Sequence, residues 1–162
     1  MLKFRTVSEN SEMFLLRPAT PDDIARNYEI WRTSVEATHD FLDASDQEAI
    51  ARMVLEDYLP NAEFTVAVDA NNLPHGFLGA TGNHIDSLFI HVDSRGAGLG
   101  RLLFDGFRAG KDVVTVDVNE QNVGAVGFYE RLGFKVTGRA DVDDQGRPYP
   151  ILHLRWQRPT AP

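Results

Sequence analysis

A glycine-rich turn between a short apolar strand and an amphipathic helix constrains this chain more than any other feature. Residues Asp86 to Leu103 read DSLFIHVDSRGAGLGRLL. Glycine takes φ values that other residues resist and lets the backbone approach a ligand closely. The first N–H groups of the following helix lack intrahelical partners, and the helix dipole adds to their pull on an anion. The layout therefore points to a phosphate-bearing ligand. Two common phosphate loops fail on spacing. A nucleoside-triphosphate loop ends in Gly-Lys-Ser or Gly-Lys-Thr, and neither follows here. A dinucleotide fingerprint needs a third glycine where the chain has Arg101. What is left is Arg-x-x-Gly-x-Gly over Arg95, Gly98 and Gly100. A bare strand-to-helix turn with nothing bound gives the same string.

A second pattern lies downstream, in VNEQNVGAVGFYERLGFKVTGR from Val118 to Arg139. Asn122, Ala125, Phe128, Tyr129 and Leu132 recur at helical spacing and fall along one stripe. Gly133 is a helix stop signal, and Phe134-Lys135-Val136 begins a strand. Aromatic residues at this spacing commonly fill a core, which is the plainer reading of Tyr129.

Together, Arg-x-x-Gly-x-Gly and the later Asn-x-x-Ala-x-x-Phe-Tyr-x-x-x-Gly-Phe resemble the two signatures of the GNAT superfamily of N-acetyltransferases. Ser34–Leu42 and Asp141–Leu152 further resemble the YjaB-type bacterial acetyltransferases within it. The resemblance implies an α/β (α+β mixed sheet) fold, with a GNAT-like, mostly antiparallel central sheet of about seven strands flanked by about four helices. It implies acetyl-CoA as cosubstrate, with no metal. The pantetheine arm would lie along Leu88, Phe89 and Ile90. The backbone of Gly96, Ala97, Gly98, Leu99, Gly100 and Arg101 would take the pyrophosphate, with Arg101 and Arg95 adding charge. Asn122 would contact the coenzyme, and Tyr129 would protonate the departing thiolate after direct attack by a primary amine. Asp117 stands where some relatives place a general base, and His39, Asp40 and Phe41 fall in the connection that lines the acceptor pocket. His39 is a competing base, since imidazole titrates near neutral pH. A non-catalytic coenzyme-A-binding or sensing module is the alternative function, and intact Asn122 and Tyr129 argue against it.

Composition narrows the partners. The 162 residues include 16 basic and 24 acidic side chains, a formal charge of −8, which disfavours nucleic acid; such a surface attracts a cationic amine acceptor, small molecule or protein, but its plainer reading is solubility. There are no cysteines, so disulfides and thiolate chemistry are excluded. No apolar run reaches membrane-spanning length, and the charged start MLKFRTVSENSE argues against export, so the cytoplasm is expected. A monomer or a homodimer is expected.

The remaining sequence reads as a flexible lead-in over 1–12 and a single domain over 13–158. Strands are expected at 13–17, 63–68, 76–80, 84–92, 113–118, 134–139 and 151–156. Thr20-Pro21-Asp22-Asp23 opens a helix whose apolar face carries Ile24, Tyr28, Trp31 and Val35. Ser45 with Glu48 reads as a capping box, with Ile50, Met53, Val54 and Leu55 turned inward. The apolar run Val113–Val118 reads as a strand covered on both faces.

Overall fold

The computed structural model of the chain describes residues 3–6 and 13–160. They gather into two compact units, one of residues up to Ala80 with Ser87–Phe107, the other of Thr81–Asp86 with residues from Arg108 onward.

In the first unit, β2 (Met13–Pro18) turns Phe14 and Leu16 inward. It pairs antiparallel with β1 (Lys3–Thr6) on one side and β3 (Phe64–Val68) on the other, and β3 pairs antiparallel with β4 (Pro74–Thr81). The seven expected strands are all present, and β1 is an eighth. It corrects the expected lead-in: Lys3–Thr6 run in register with Leu16–Met13. A polar segment of four residues has too little alternation to announce a strand, and here the neighbouring strand supplies the pairing. The rest of the expected lead-in, residues 1–2 and 7–12, lies outside the described residues.

Helix α1 (Ile24–Thr38) follows a single 3-10 turn and buries Ile30, Trp31 and Val35 as its spacing requires, with Ile24 and Tyr28 packed beside them. Helix α2 (Ala44–Met53) is capped by Asp43, whose Oδ1 accepts from Asp46 N, and not by Ser45. The Ser45 hydroxyl donates to the same Asp43 oxygen, so the carboxylate two residues earlier takes the cap. Past Met53 the helix widens into a π turn, Val54–Tyr58, closed by the short α3 (Leu59–Asn61). The π turn shifts the helical phase. Val54 and Leu59 are buried, whereas Met53 and Leu55, expected inside, are 43% and 39% exposed. The same turn delivers the Tyr58 hydroxyl to Ser87 Oγ at 2.7 Å. Gly79 makes room: a Cβ there would come within 2.7 Å of both the Tyr58 hydroxyl and the Phe64 ring.

Strand β5 (His84–Ile90) passes from the second unit into the first between Asp86 and Ser87. Helix α4 (Leu99–Arg108) buries Leu99, Leu102, Leu103 and Phe104.

The second unit is built on β6 (Val113–Asn119). It pairs parallel with the start of β5, through His84↔Thr115 and Ile85↔Val116, and antiparallel with β8 (Ile151–Gln157). Strand β7 (Lys135–Ala140) flanks β8 antiparallel, with a bulge between Val136 and Gly138. Helix α5 (Val123–Arg131) precedes β7. Val114, Val116 and Val118 are buried, but Thr115 is half-exposed and Asp117 exposed. The strand is therefore covered on one face only, contrary to the two-face reading. Its apolar character comes from alternate valines, and the polar residues between them face outward. No helix among the described residues is long and apolar enough to cross a membrane.

The entry to α1 rests on one buried carboxylate. Asp23 is 6% exposed and accepts from Arg17 Nη1 at 2.8 Å, Arg17 Nη2 at 3.0 Å and Thr20 N at 2.8 Å. The paired Arg17 guanidinium holds its carboxyl below the usual carboxylate range. Asp23→Ala removes the cap and strands a half-buried guanidinium, so a loss of about 2 kcal/mol is expected in urea unfolding. An unchanged unfolding midpoint contradicts this role.

Candidate functional site

In the first unit the loop after β5 is shaped by a 3-10 turn, Val92–Ser94, capped by His91, whose Nδ1 accepts from Asp93 N. Val92 N donates to Thr33 Oγ1, tying the turn to α1. The chain then needs left-handed backbone twice, at Gly96 (φ +81°) and Gly98 (φ +80°), which is where glycine is required. The Gly98 carbonyl accepts the first helical bond, from Leu102 N at 3.0 Å. Among the described residues, no hydrogen bond is made by the backbone N–H groups from Gly96 to Arg101. Six successive positions thus offer donors where α4 presents its positive end, an arrangement suited to a phosphate. The Arg101 guanidinium is 65% exposed beside them.

The expected donor strand, Leu88–Ile90, is half-buried and lies beyond the two residue pairs that make up the β5–β6 ladder.

Arg95 is turned elsewhere. Its Nη2 donates to the Ser34 carbonyl at 3.4 Å, which also accepts from Thr38 Oγ1 at 2.7 Å. Because the Thr38 hydroxyl is already donating, it accepts from the His39 ring, whose Nδ1 stands 2.7 Å away. His39 is 9% exposed, and its ring lies against Phe41 with centroids 5.2 Å apart. Burial, helped by the nearby Arg95 charge and opposed by the exposed Asp40, lowers its pKa to about 4. His39 is therefore neutral at physiological pH, with Nδ1 protonated and Nε2 carrying a lone pair.

A further chain of bonds gave no sign in the sequence. Asp69 Oδ1 accepts from Asn71 N and Leu73 N and so holds the β3–β4 turn, while its Oδ2 lies 2.7 Å from His75 Nε2. His75 Nδ1 is 2.7 Å from Ser94 Oγ, at the mouth of the glycine loop. Only the Asp-Ala-Asn-Asn turn signal at 69–72 was legible; the partners are 6 and 19 residues apart.

In the second unit, Asp117 is bound to His153, with Oδ1 2.6 Å from Nδ1, and its Oδ2 is 3.6 Å from His84 Nε2. Asn122 is the cap of α5, not part of its stripe: Oδ1 accepts from Ala125 N at 3.1 Å. Its Nδ2 has no partner among the described residues, so it remains available as a donor. Tyr129 is 6% exposed, its ring edged by Phe128 and Phe134 at 5.1 and 5.2 Å. Burial pushes the phenol pKa above its ordinary value, and among the described residues its hydroxyl makes no hydrogen bond. The structure thus gathers Arg95 with His39 in one unit and Asp117 with two histidines in the other. No set of three His, Cys, Asp or Glu side chains among the described residues could hold a metal.

Comparison with known proteins converges on one family. The acetyltransferase (GNAT) domain model matches residues 29–149. A peptidyl-lysine N-acetyltransferase, YjaB, of Salmonella typhimurium is 50% identical over 125 residues, covering 77% of this chain and 86% of that protein. Its Escherichia coli namesake is 48% identical over 127 residues, covering 78% of this chain and 86% of that protein. The solution structure of apo-form YjaB from Escherichia coli superposes with a TM-score of 0.84 at 43% identity, over 88% of this chain and 97% of that one.

The lowered pKa of His39 makes stability depend on pH. The unfolded ring takes up a proton near pH 6.5, and the folded one near pH 4. The fold is therefore fully favoured above the higher value and loses stability as pH falls between the two, by on the order of 3 kcal/mol. Urea unfolding across this window should show a steeper loss for the native chain than for His39→Gln. Parallel curves contradict the assignment.

Proposed function

The chain belongs to the GNAT family of acetyltransferases, and we propose that it moves an acetyl group from acetyl-CoA to the side-chain amine of a protein lysine. The row of unpartnered N–H groups from Gly96 to Arg101 carries this reading, since it suits the pyrophosphate of a coenzyme. The lysine acceptor is suggested by two relatives, about half identical in sequence, that are named peptidyl-lysine N-acetyltransferases. The thioester supplies an activated acetyl carbonyl. Residues 13–158 are read as the domain that performs the transfer.

The chain's own residues have three tasks. Backbone N–H groups bind the pyrophosphate, while Leu88, Phe89 and Ile90 align the pantetheine arm, with the Asn122 amide as a further donor. A backbone N–H near Ile90 stabilises the negative charge that develops on the carbonyl oxygen. Arg95, engaged with Ser34, shapes the loop and supports its field at short range, whereas Arg101 supplies the exposed charge. His39, Asp40 and Phe41 form a wall for the acceptor. Neutral His39 orients groups by hydrogen bonding, and with a pKa of about 4 it competes poorly for the proton of an ammonium.

Tyr129 is the general acid. Its phenol stays protonated throughout the working range, and its hydroxyl is uncommitted among the described residues. The burial that disfavours phenolate equally disfavours a bare thiolate, so the leaving sulfur gains from a donor held at this point.

Gly98→Asp forces a side chain into left-handed backbone and sets a carboxylate among phosphate donors. Calorimetry should show acetyl-CoA binding weakened by several kcal/mol, on the order of 10³-fold. Unchanged affinity removes the loop from the site. Tyr129→Phe keeps the ring and its packing but deletes the donor. Transfer to a lysine peptide should slow by about 10²–10⁴-fold with coenzyme affinity nearly unchanged. A rate equal to wild type where chemistry limits turnover ends the assignment. Coenzyme binding without any transfer points instead to a sensing module.

A further inference from the structure

Helix α1 carries a polar side chain where its apolar stripe calls for another core residue. Asn27 stands one turn after Ile24 and one turn before Ile30 and Trp31, and it is 2% exposed. Neither its Oδ1, which is buried, nor its Nδ2 has a hydrogen-bond partner among the described residues. Buried polar groups are nearly always paired, and an unmet one is costly. A purely structural asparagine would tie α1 to a neighbouring loop or strand, and this one makes no such bond.

Asn27 lines an open cleft of about 520 Å³ that lies wholly within the first unit. That volume falls in the range of small-molecule sites. Leu59, Phe64, Leu78 and Phe107 supply apolar walls. The backbone around the cleft has little to give a ligand. Pro18, Pro21 and Pro60 have no N–H, and the N–H groups of Ala19, Thr20 and Ala62 already donate to Phe64 O, Asp23 Oδ2 and Tyr58 O. Polar recognition therefore falls to side chains, and the Asn27 amide is the one among them that is buried and uncommitted. No Lys, Arg or His lines the cleft, and its one ionisable lining side chain is the exposed Glu63. An anion finds no partner there and a carboxylate that repels it. The cleft is also separate from the glycine loop. Phe107 follows Leu99 along α4 by about 12 Å, at 1.5 Å per residue.

We propose that this cleft is a second binding site, for a small uncharged molecule with an apolar body and a carboxamide group. A carboxamide answers Asn27 in both directions: its N–H donates to Oδ1, and its carbonyl accepts from Nδ2. The apolar body packs on Leu59, Phe64, Leu78 and Phe107, where removal of apolar surface from water favours binding. A carboxylate of the same shape only accepts, so it leaves Oδ1 unmet and meets repulsion from Glu63. A hydrocarbon of the same shape fills the walls but leaves both amide atoms unmet. The site is independent of the acetyl-transfer reading, and no covalent bond is made or broken in it.

The test titrates benzamide into the full chain, with benzoate as the anionic control, and follows backbone amide signals by NMR. Benzamide should move the signals of Ile24, Asn27, Phe64 and Leu78 with a millimolar Kd, and benzoate should bind about tenfold more weakly. Asn27→Leu keeps the size of the side chain and deletes both amide atoms. It should weaken benzamide about tenfold while leaving the urea unfolding midpoint unchanged or higher, because an unmet polar group is gone. Thr65→Phe should fill the cleft and abolish benzamide binding with Asn27 intact. An Asn27→Leu chain that binds benzamide as tightly as the native one overturns the site, and so does benzoate binding as tightly as benzamide. If Asn27→Leu does not fold, Thr65→Phe decides, and benzamide shifts that persist in it overturn the site. A native chain whose cleft signals stay still up to the solubility limit of benzamide overturns it too, and leaves water as the partner of Oδ1. None of these outcomes bears on acetyl transfer to a lysine peptide.

Discussion

Backbone hydrogen bonds that the fold leaves unclaimed are the constraint on which this molecule turns. Strand β5 spends its pairing with β6 on two residue pairs, and the loop beyond it spends two left-handed glycines on a bend that satisfies none of the N–H groups up to Arg101. An unmet donor is costly unless water or a ligand meets it. Such a concentration of donors at the start of α4 suits an anion, and the buried leucines of that helix hold the donors in place.

Two devices steady this region from the same unit. The Asp69–His75–Ser94 chain runs from the β3–β4 turn to the mouth of the loop, and Arg95 runs from the loop to the carbonyl of Ser34. The second device also touches proton chemistry, because the Arg95 charge adds to burial in keeping His39 neutral. One guanidinium thus links the glycine loop to the segment expected to meet the acceptor.

What the sequence disclosed follows the range of the interactions. The glycine loop was legible because its requirement is local: a residue at φ +80° is nearly always glycine. The face of α1 was legible from period alone. The cap of α2 was misplaced by two residues because Asp43 and Ser45 are both good caps, and only geometry chooses between them. The π turn has no sequence signature, so Met53 and Leu55 were placed inside when they face out. Val113–Val118 read as doubly covered because valines dominate its composition; Asp117 was recognised as chemically interesting without its partner. His153 lies 36 residues from Asp117, and strand register alone brings them together. Tyr129 is buried, as the plainer core-filling reading of an aromatic at that spacing has it, whereas Asn122 belongs to the cap and not to the helix body.

Strand β1 has a consequence for the chain's behaviour in company. By pairing with β2 over Lys3–Thr6, it covers a row of main-chain donors and acceptors that would otherwise form an open sheet edge. In the other unit the outer strand, β7, carries Lys135, Arg139 and a bulge, features that discourage another strand from docking. The edge at β2 has only its partner strand as cover. The four residues of β1 are then the outer strand on this side, so the edge left open to another copy of the chain is short, and losing that pairing is a matter of solubility before it is one of catalysis.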